Sequence, residues 1–346
     1  MPNSDENGLP SEALSSANSE PSGIAYARER RVVDRPDPTL PGGIPLFLLA
    51  LAALALVRVG IGYVSLPLAA LPATNVAIAA LFLAVPIVAL FFAANSHWSW
   101  RGAAKFVAGG LVLQFGLIAL GNTVRLPGPV AGVLIAVAQC GLACWCAGLG
   151  ALLATLIREK NILLPIAIFL AAYDFFLVLT PWGYGERIRK TFLPVLANVA
   201  GQIPSVSAAP THGLARPGAY VGMADFVFLA MFFIALFRFR MRTRQTLFWV
   251  LPALILYMLV VMMYGNQELV GFKLSALPAM VPIGLAVLIV NWREFQLKRD
   301  EKLATLGLAA FVLVILTFAA TRPKPQAEPS PRDAAQGLRA PASSRG

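Results

Sequence analysis

Asp174 and Asp225 are the residues best placed to do chemistry, because each interrupts a stretch that is otherwise apolar. Asp174 stands in AAYDFFLVLT and Asp225 in YVGMADFVFLAMFF, each among aromatic and aliphatic neighbours. A carboxylate at the centre of a membrane helix costs about 2.5–3.5 kcal/mol on insertion scales, and it has no long stem with which to reach the headgroups. Two such residues on separate helices avoid that cost by facing each other across a water-containing cavity and sharing one proton, since carboxylates about 3 Å apart cannot both ionise. That state suits acid–base hydrolysis. The ionised member takes a proton from water attacking a peptide carbonyl, and the protonated member donates to the carbonyl oxygen or the leaving nitrogen. The residues alone leave two other readings open: unrelated polar groups bonded to their own neighbours, or stations of a proton or ion relay. A third ionisable residue, Arg58, lies about two turns from the end of its span. Its first reading is a snorkelling side chain, with packing or pairing and a substrate role behind it.

The elements that must position these acids are membrane helices. The chain has 346 residues, 58% of them hydrophobic and 13% charged, with a mean hydropathy of +0.71. Soluble chains run at roughly 45–50% apolar and about 25% charged, so a water-soluble domain is excluded. Apolar blocks fall at about 43–65, 73–94, 102–121, 129–157, 161–180, 218–238, 246–264, 274–292 and 303–320, each near the length a helix needs to cross a bilayer. The expected fold is therefore all-α, a polytopic bundle of about nine transmembrane helices. Residues 1–42 and 321–346 read as disordered tails. Residues 43–160 form about four N-terminal helices, 161–292 hold the acids, and 303–320 form an extra C-terminal helix. Within 161–292, residues 181–217 are one long break. Its middle, TFLPVLANVAGQIP, reads as a short interfacial helix, and its end, SVSAAPTHGLARPG, as a flexible link about which the two flanking parts can move. No internal repeat supports an inverted-repeat transporter, and residues 1–42, polar and without an early apolar core, are not expected to act as a cleavable signal peptide.

Three words in this part of the sequence carry a resemblance. Tyr173-Asp174, followed by VLTPWGYGER, resembles the Tyr-Asp motif of the presenilin and signal-peptide-peptidase family. Gly222-Met223-Ala224-Asp225 with its trailing aromatics is similar to that family's Gly-x-Gly-Asp motif. Ala276-Leu277-Pro278-Ala279-Met280 is similar to its Pro-Ala-Leu motif. The three occur in the family's order, roughly 50 residues apart, and the likeness covers about 165–292.

The resemblance implies a presenilin-like fold and an aspartic endopeptidase that cuts transmembrane segments or signal-peptide remnants, with no cofactor and no metal. Asp174 and Asp225 would be catalytic. Tyr173, Gly222, Leu277, Pro278, Ala279 and Met280 would bind substrate or shape the site, with irregular backbone at Pro278 lining a wet cavity, or an ordinary first-turn proline in its place. Ala224 stands where the family has its second Gly, and Met280 where it has Leu. A literal Pro252-Ala253-Leu254 opens the span directly after the Asp225 helix, one helix too early, and reads as a decoy. Four spans precede the Tyr-Asp helix here, where the family has five. The rival functions are a proton- or cation-coupled transporter or channel using both aspartates, and an inactive family member that only binds membrane helices.

The remaining features set topology and packing. The net charge is +11, but the basic residues sit in the breaks, so membrane orientation accounts for them better than nucleic acid does. The richer alternate breaks hold Arg28 to Arg35, Arg101 and Lys105, Arg158 and Lys160, Arg238 to Arg244, and Arg293 to Lys302. These are expected to be cytoplasmic, with the N-terminus inside and 181–217 outside, against the pull of Arg187, Arg189 and Lys190. That orientation is like the signal-peptide-peptidase branch, in a prokaryotic cell membrane, with a single uncut chain. The expected partners are the lipid bilayer and transmembrane-segment substrates. Cys140, Cys144 and Cys146 read as packing thiols. His97 and His212 are too isolated for a metal site. Gly109, Gly110, Gly116, Gly121, Gly141, Gly148 and Gly150 read as helix contact surfaces.

Overall fold

The computed structural model describes residues 43–179, 198–209, 211–264, 268–269, 272–273 and 278–321. Within them the nine apolar blocks appear as nine α-helices: α1 (Gly43–Ile61), α2 (Leu71–Ala94), α3 (Trp100–Thr123), α4 (Gly128–Leu156), α5 (Leu163–Leu179), α6 (Met223–Arg238), α7 (Thr243–Tyr264), α8 (Met280–Asn291) and α9 (Arg299–Thr321). Six of them, α1 to α5 and α7, are long and apolar enough to cross a membrane. Large apolar side chains such as Leu56, Phe248 and Met263 stand exposed on their outer faces. Such surfaces suit lipid and not water.

Small residues decide which helices approach closely. A methyl on Gly110 would meet the backbone nitrogen of Trp145 at 2.5 Å, and one on Gly148 would meet the carbonyl of Ala103 at 2.8 Å, so α3 and α4 touch backbone to backbone. Gly150 does the same for α4 and α6, with the Val227 carbonyl 2.6 Å from where its methyl would be. Gly109 and Gly116 were expected on contact surfaces too, but no described residue lies within 4 Å of either position. They face outward.

At one end of the bundle the turns rich in basic residues meet. Arg238 closes α6 and donates to the carbonyls of Ala154 and Ile157, 2.9 and 3.0 Å away at the end of α4. These are carbonyls that a helix terminus leaves unpaired. Asn291 bonds the Thr246 hydroxyl and the Arg242 N–H, Arg242 pairs with Glu294 at 3.2 Å, and Asn161 donates to Gln296 and Glu301.

Away from that end the chain is not all-α. β1 (Gly201–Ser205) pairs antiparallel with β2 (Arg216–Val221), with a register shift between Ile203 and Pro204. A minimal second hairpin joins β3 (Glu268–Leu269) to β4 (Phe272–Lys273). The stretch expected to be a flexible link is therefore largely packed structure. Its Val206 and Ala215 are buried with Ile61, Ala79, Phe82 and the preceding Ile203. The tip turns through Gly213 at φ +88°, a conformation that costs glycine little, and Gly213 donates to the Gly62 carbonyl at 3.0 Å. The interfacial helix expected over TFLPVLANVAGQIP falls partly on 191–197, outside the described residues, and its last residues are β1.

Strand formation also shortens a span. Residues 218–221 were expected to open the Asp225 helix, but they complete β2, and α6 starts only at Met223. Similarly α8, expected from 274, starts at Met280; residues 274–277 lie outside the described set.

Candidate active site

α6 has 16 residues and α8 has 12, which makes them about 24 and 18 Å long, short of a core about 30 Å thick. The first residue of α6, Met223, has its carbonyl 3.7 Å from Cys146 Sγ, deep within the 29-residue α4. So α6 begins inside the bundle. A helix start leaves backbone N–H groups unpaired, and both of these starts lie at an aspartate.

Asp174, in the last third of α5, accepts a 2.8 Å hydrogen bond on Oδ2 from the backbone N–H of Met280, the first residue of α8. Asp225 is the third residue of α6. Its carboxylate folds back on Gly222 and takes a hydrogen bond from that residue's backbone, which is half of a capping box. A methyl on Gly222 would lie 3.0 Å from Asp225 Oδ2, so glycine there leaves room for the returning carboxylate. The two carboxylates lie close enough to act on each other electrostatically, and both act on the phenol of Tyr257 in α7. An aspartate at a helix start is also favoured by the helix dipole.

The other expected residues divide. Pro278 and Met280 are buried and Ala279 half-buried, next to the N–H that reaches Asp174. Pro278 precedes the first helical residue by two positions, and its carbonyl accepts from Val281 at 3.3 Å. Leu277 lies outside the described residues. Tyr173 is not among the groups bonded to the carboxylates. It is 53% exposed and stacks on Phe169 with ring centres 6.0 Å apart, as the residue beside Asp174 on a helix must when Asp174 turns inward. Ala224 is exposed, so its methyl enters no helix contact. Pro252 lies inside the continuous helix α7 and on its exposed face.

Arg58 does not snorkel. It is buried, and donates to the backbone carbonyl of Gln202 at 2.6 Å and to that residue's Oε1 at 2.9 Å. The three cysteines are free thiols. Among the described residues no cluster of His, Cys, Asp and Glu could hold a metal ion.

Sequence reasoning missed Tyr257. Its only signal was a hydroxyl set in the middle of an apolar span, where a buried tyrosine usually finds a polar neighbour.

Fold and site together define a helical bundle of membrane type, with an acid at the start of each of two short helices. No protein-family model, no curated protein and no solved structure matches the chain.

Proposed function

We propose that this chain is an intramembrane aspartyl protease of the presenilin and signal-peptide-peptidase type, cutting peptide bonds within transmembrane segments. The observation that carries this reading is the bond from Met280 N–H to Asp174, with Asp225 within electrostatic reach. It ties together three motif words that are far apart in sequence. In the proposed reaction, one carboxylate takes a proton from a water molecule as its oxygen attacks the peptide carbonyl carbon. The other, protonated, donates to the carbonyl oxygen. Proton return to the nitrogen then breaks the C–N bond.

Unwinding of the substrate is required, because a helix hides its peptide bonds. β2 supports this step, since it leads straight into Gly222, is largely exposed, and has no strand on its outer side among the described residues. An extended segment can pair there as an added strand. We further propose that the N-terminus faces the cytoplasm, with the hairpin on the opposite side of a cell membrane.

The test is cleavage of a transmembrane reporter by the purified chain in lipid. Wild type cuts, while Asp174→Asn and Asp225→Asn each lower the rate by about a hundredfold or more with folding retained. Asn keeps the size of the side chain and can still accept the Met280 or Gly222 N–H. If either variant cuts at the wild-type rate, the assignment is wrong. If wild type never cuts but passes ions in a manner that needs both aspartates, the chain is a transporter or channel.

A further inference from the structure

The four N-terminal helices hold no member of the proposed catalytic set, yet each places one polar side chain against the same piece of backbone. From α1, Arg58 donates to the Gln202 carbonyl at 2.6 Å. From α2, Asn75 accepts from Val206 N–H at 2.8 Å and donates to its carbonyl at 3.3 Å. From α3, Gln114 donates to the Asn198 carbonyl at 2.7 Å, and is itself held by the Trp145 indole at 2.5 Å. From α4, Gln139 accepts from Gln202 N–H at 3.0 Å and donates to the Ala200 carbonyl at 3.5 Å.

A guanidinium and three carboxamides in apolar helices are costly to bury. All four converge on residues 198–206, which form β1 and its two ends. Their first effect is to pair backbone groups of β1 and its ends that apolar side chains would leave without partners. What the four residues add is register. A strand has a period of two, so slipping it by one residue exchanges its faces, and side-chain bonds at 198, 200, 202 and 206 forbid the slip. β2 is fixed in turn through its pairing with β1, where Gly201 faces Val221 and Gln202 faces Tyr220. Gly201 is also pressed against the Phe226 ring, 2.8 Å from where its methyl would lie, and Phe226 is next to Asp225. The outer edge of β2 is thereby held at a set offset from the aspartates.

We infer that Arg58, Asn75, Gln114 and Gln139 are positioning residues that fix which peptide bond of a substrate is cut. This rests on the proteolytic reading above. A substrate strand added to the edge of β2 takes its register from β2, and β2 takes its register from the four side chains.

The experiment is mass spectrometry of the products from one transmembrane reporter. Wild type yields a narrow set of cut sites. Arg58→Met and Gln139→Leu, and the milder Arg58→Lys and Gln139→Glu, are expected to spread the cuts over neighbouring bonds or move the main one by one or two residues. Total turnover falls by less than in Asp174→Asn. Identical cut sites in every folded variant overturn the inference while leaving the protease reading intact. If even Arg58→Lys and Gln139→Glu fail to fold, judged by elution and thermal melting in detergent, the four residues serve folding alone and the inference fails. A wild type that never cuts takes down the protease reading itself, and that is a different result.

Discussion

Glycine at 222 and alanine at 224 make opposite demands on their surroundings, although the Gly-x-Gly-Asp motif that this segment resembles has glycine at both. A methyl at 222 would press on Asp225 Oδ2 from 3.0 Å, whereas Gly222 itself has φ −62°, which any residue adopts. Gly222→Ala therefore acts through the carboxylate alone. We expect a loss of about tenfold in reporter cleavage, the order that a displacement of a few tenths of an ångström produces, with an unchanged melting temperature. Ala224→Gly should change the rate by less than about twofold, because the Ala224 methyl is exposed and glycine at the second helical position costs at most about 1 kcal/mol. Met280→Leu should also be silent in kinetics, since the group that reaches Asp174 is the backbone N–H. Equal losses in Gly222→Ala and Ala224→Gly would show that neither acts by proximity to Asp225. At this scale both aspartates, Gly222 and Pro278 to Met280 were legible from residue type and order. Tyr257 was not, because a hydroxyl's partner depends on how helices rotate against each other, and α7 reads as apolar all round.

The elements were legible as far as hydrophobicity defines them. Nine apolar blocks became nine helices, because a run of about 20 apolar residues has few other solutions in lipid. The two hairpins were not legible. Residues 201–221 carry prolines at 204, 210 and 217 and glycines at 201, 213 and 218, a composition that usually marks a loop. They form strands because partners far away in the chain, the polar side chains of α1 to α4, take up backbone groups that no neighbour in sequence could. Arg58 was misread for the same reason: its distance from a helix end suggested snorkelling, and its real partner lies 144 residues on. Close packing between elements gives two further tests. Gly150→Leu places a side chain where the Val227 carbonyl and Met231 nitrogen already sit, and should cost about 1–3 kcal/mol of stability, measured as a lower melting temperature in detergent. Arg238→Ala leaves the carbonyls of Ala154 and Ile157 without their charged donor, and should cost about 1.5–3 kcal/mol by the same measurement.

For the whole molecule, the hairpin tip and the basic turns belong to opposite ends of the bundle. A membrane-impermeant thiol reagent should label a cysteine introduced at His212 and one introduced at Arg240 from opposite sides of a sealed vesicle; labelling of both from the same side would contradict the alternation of helices. The cradle for β1 also bears on the order of assembly. α1 to α4 all precede residue 198 in the chain, so every side chain of the mould is synthesised before the segment it receives. The hairpin is then a late arrival, and two separately made parts are expected to reassemble. A piece ending in the turn at 158–162, co-expressed with the remainder, should capture its complement inside the bilayer, read as co-purification of the two.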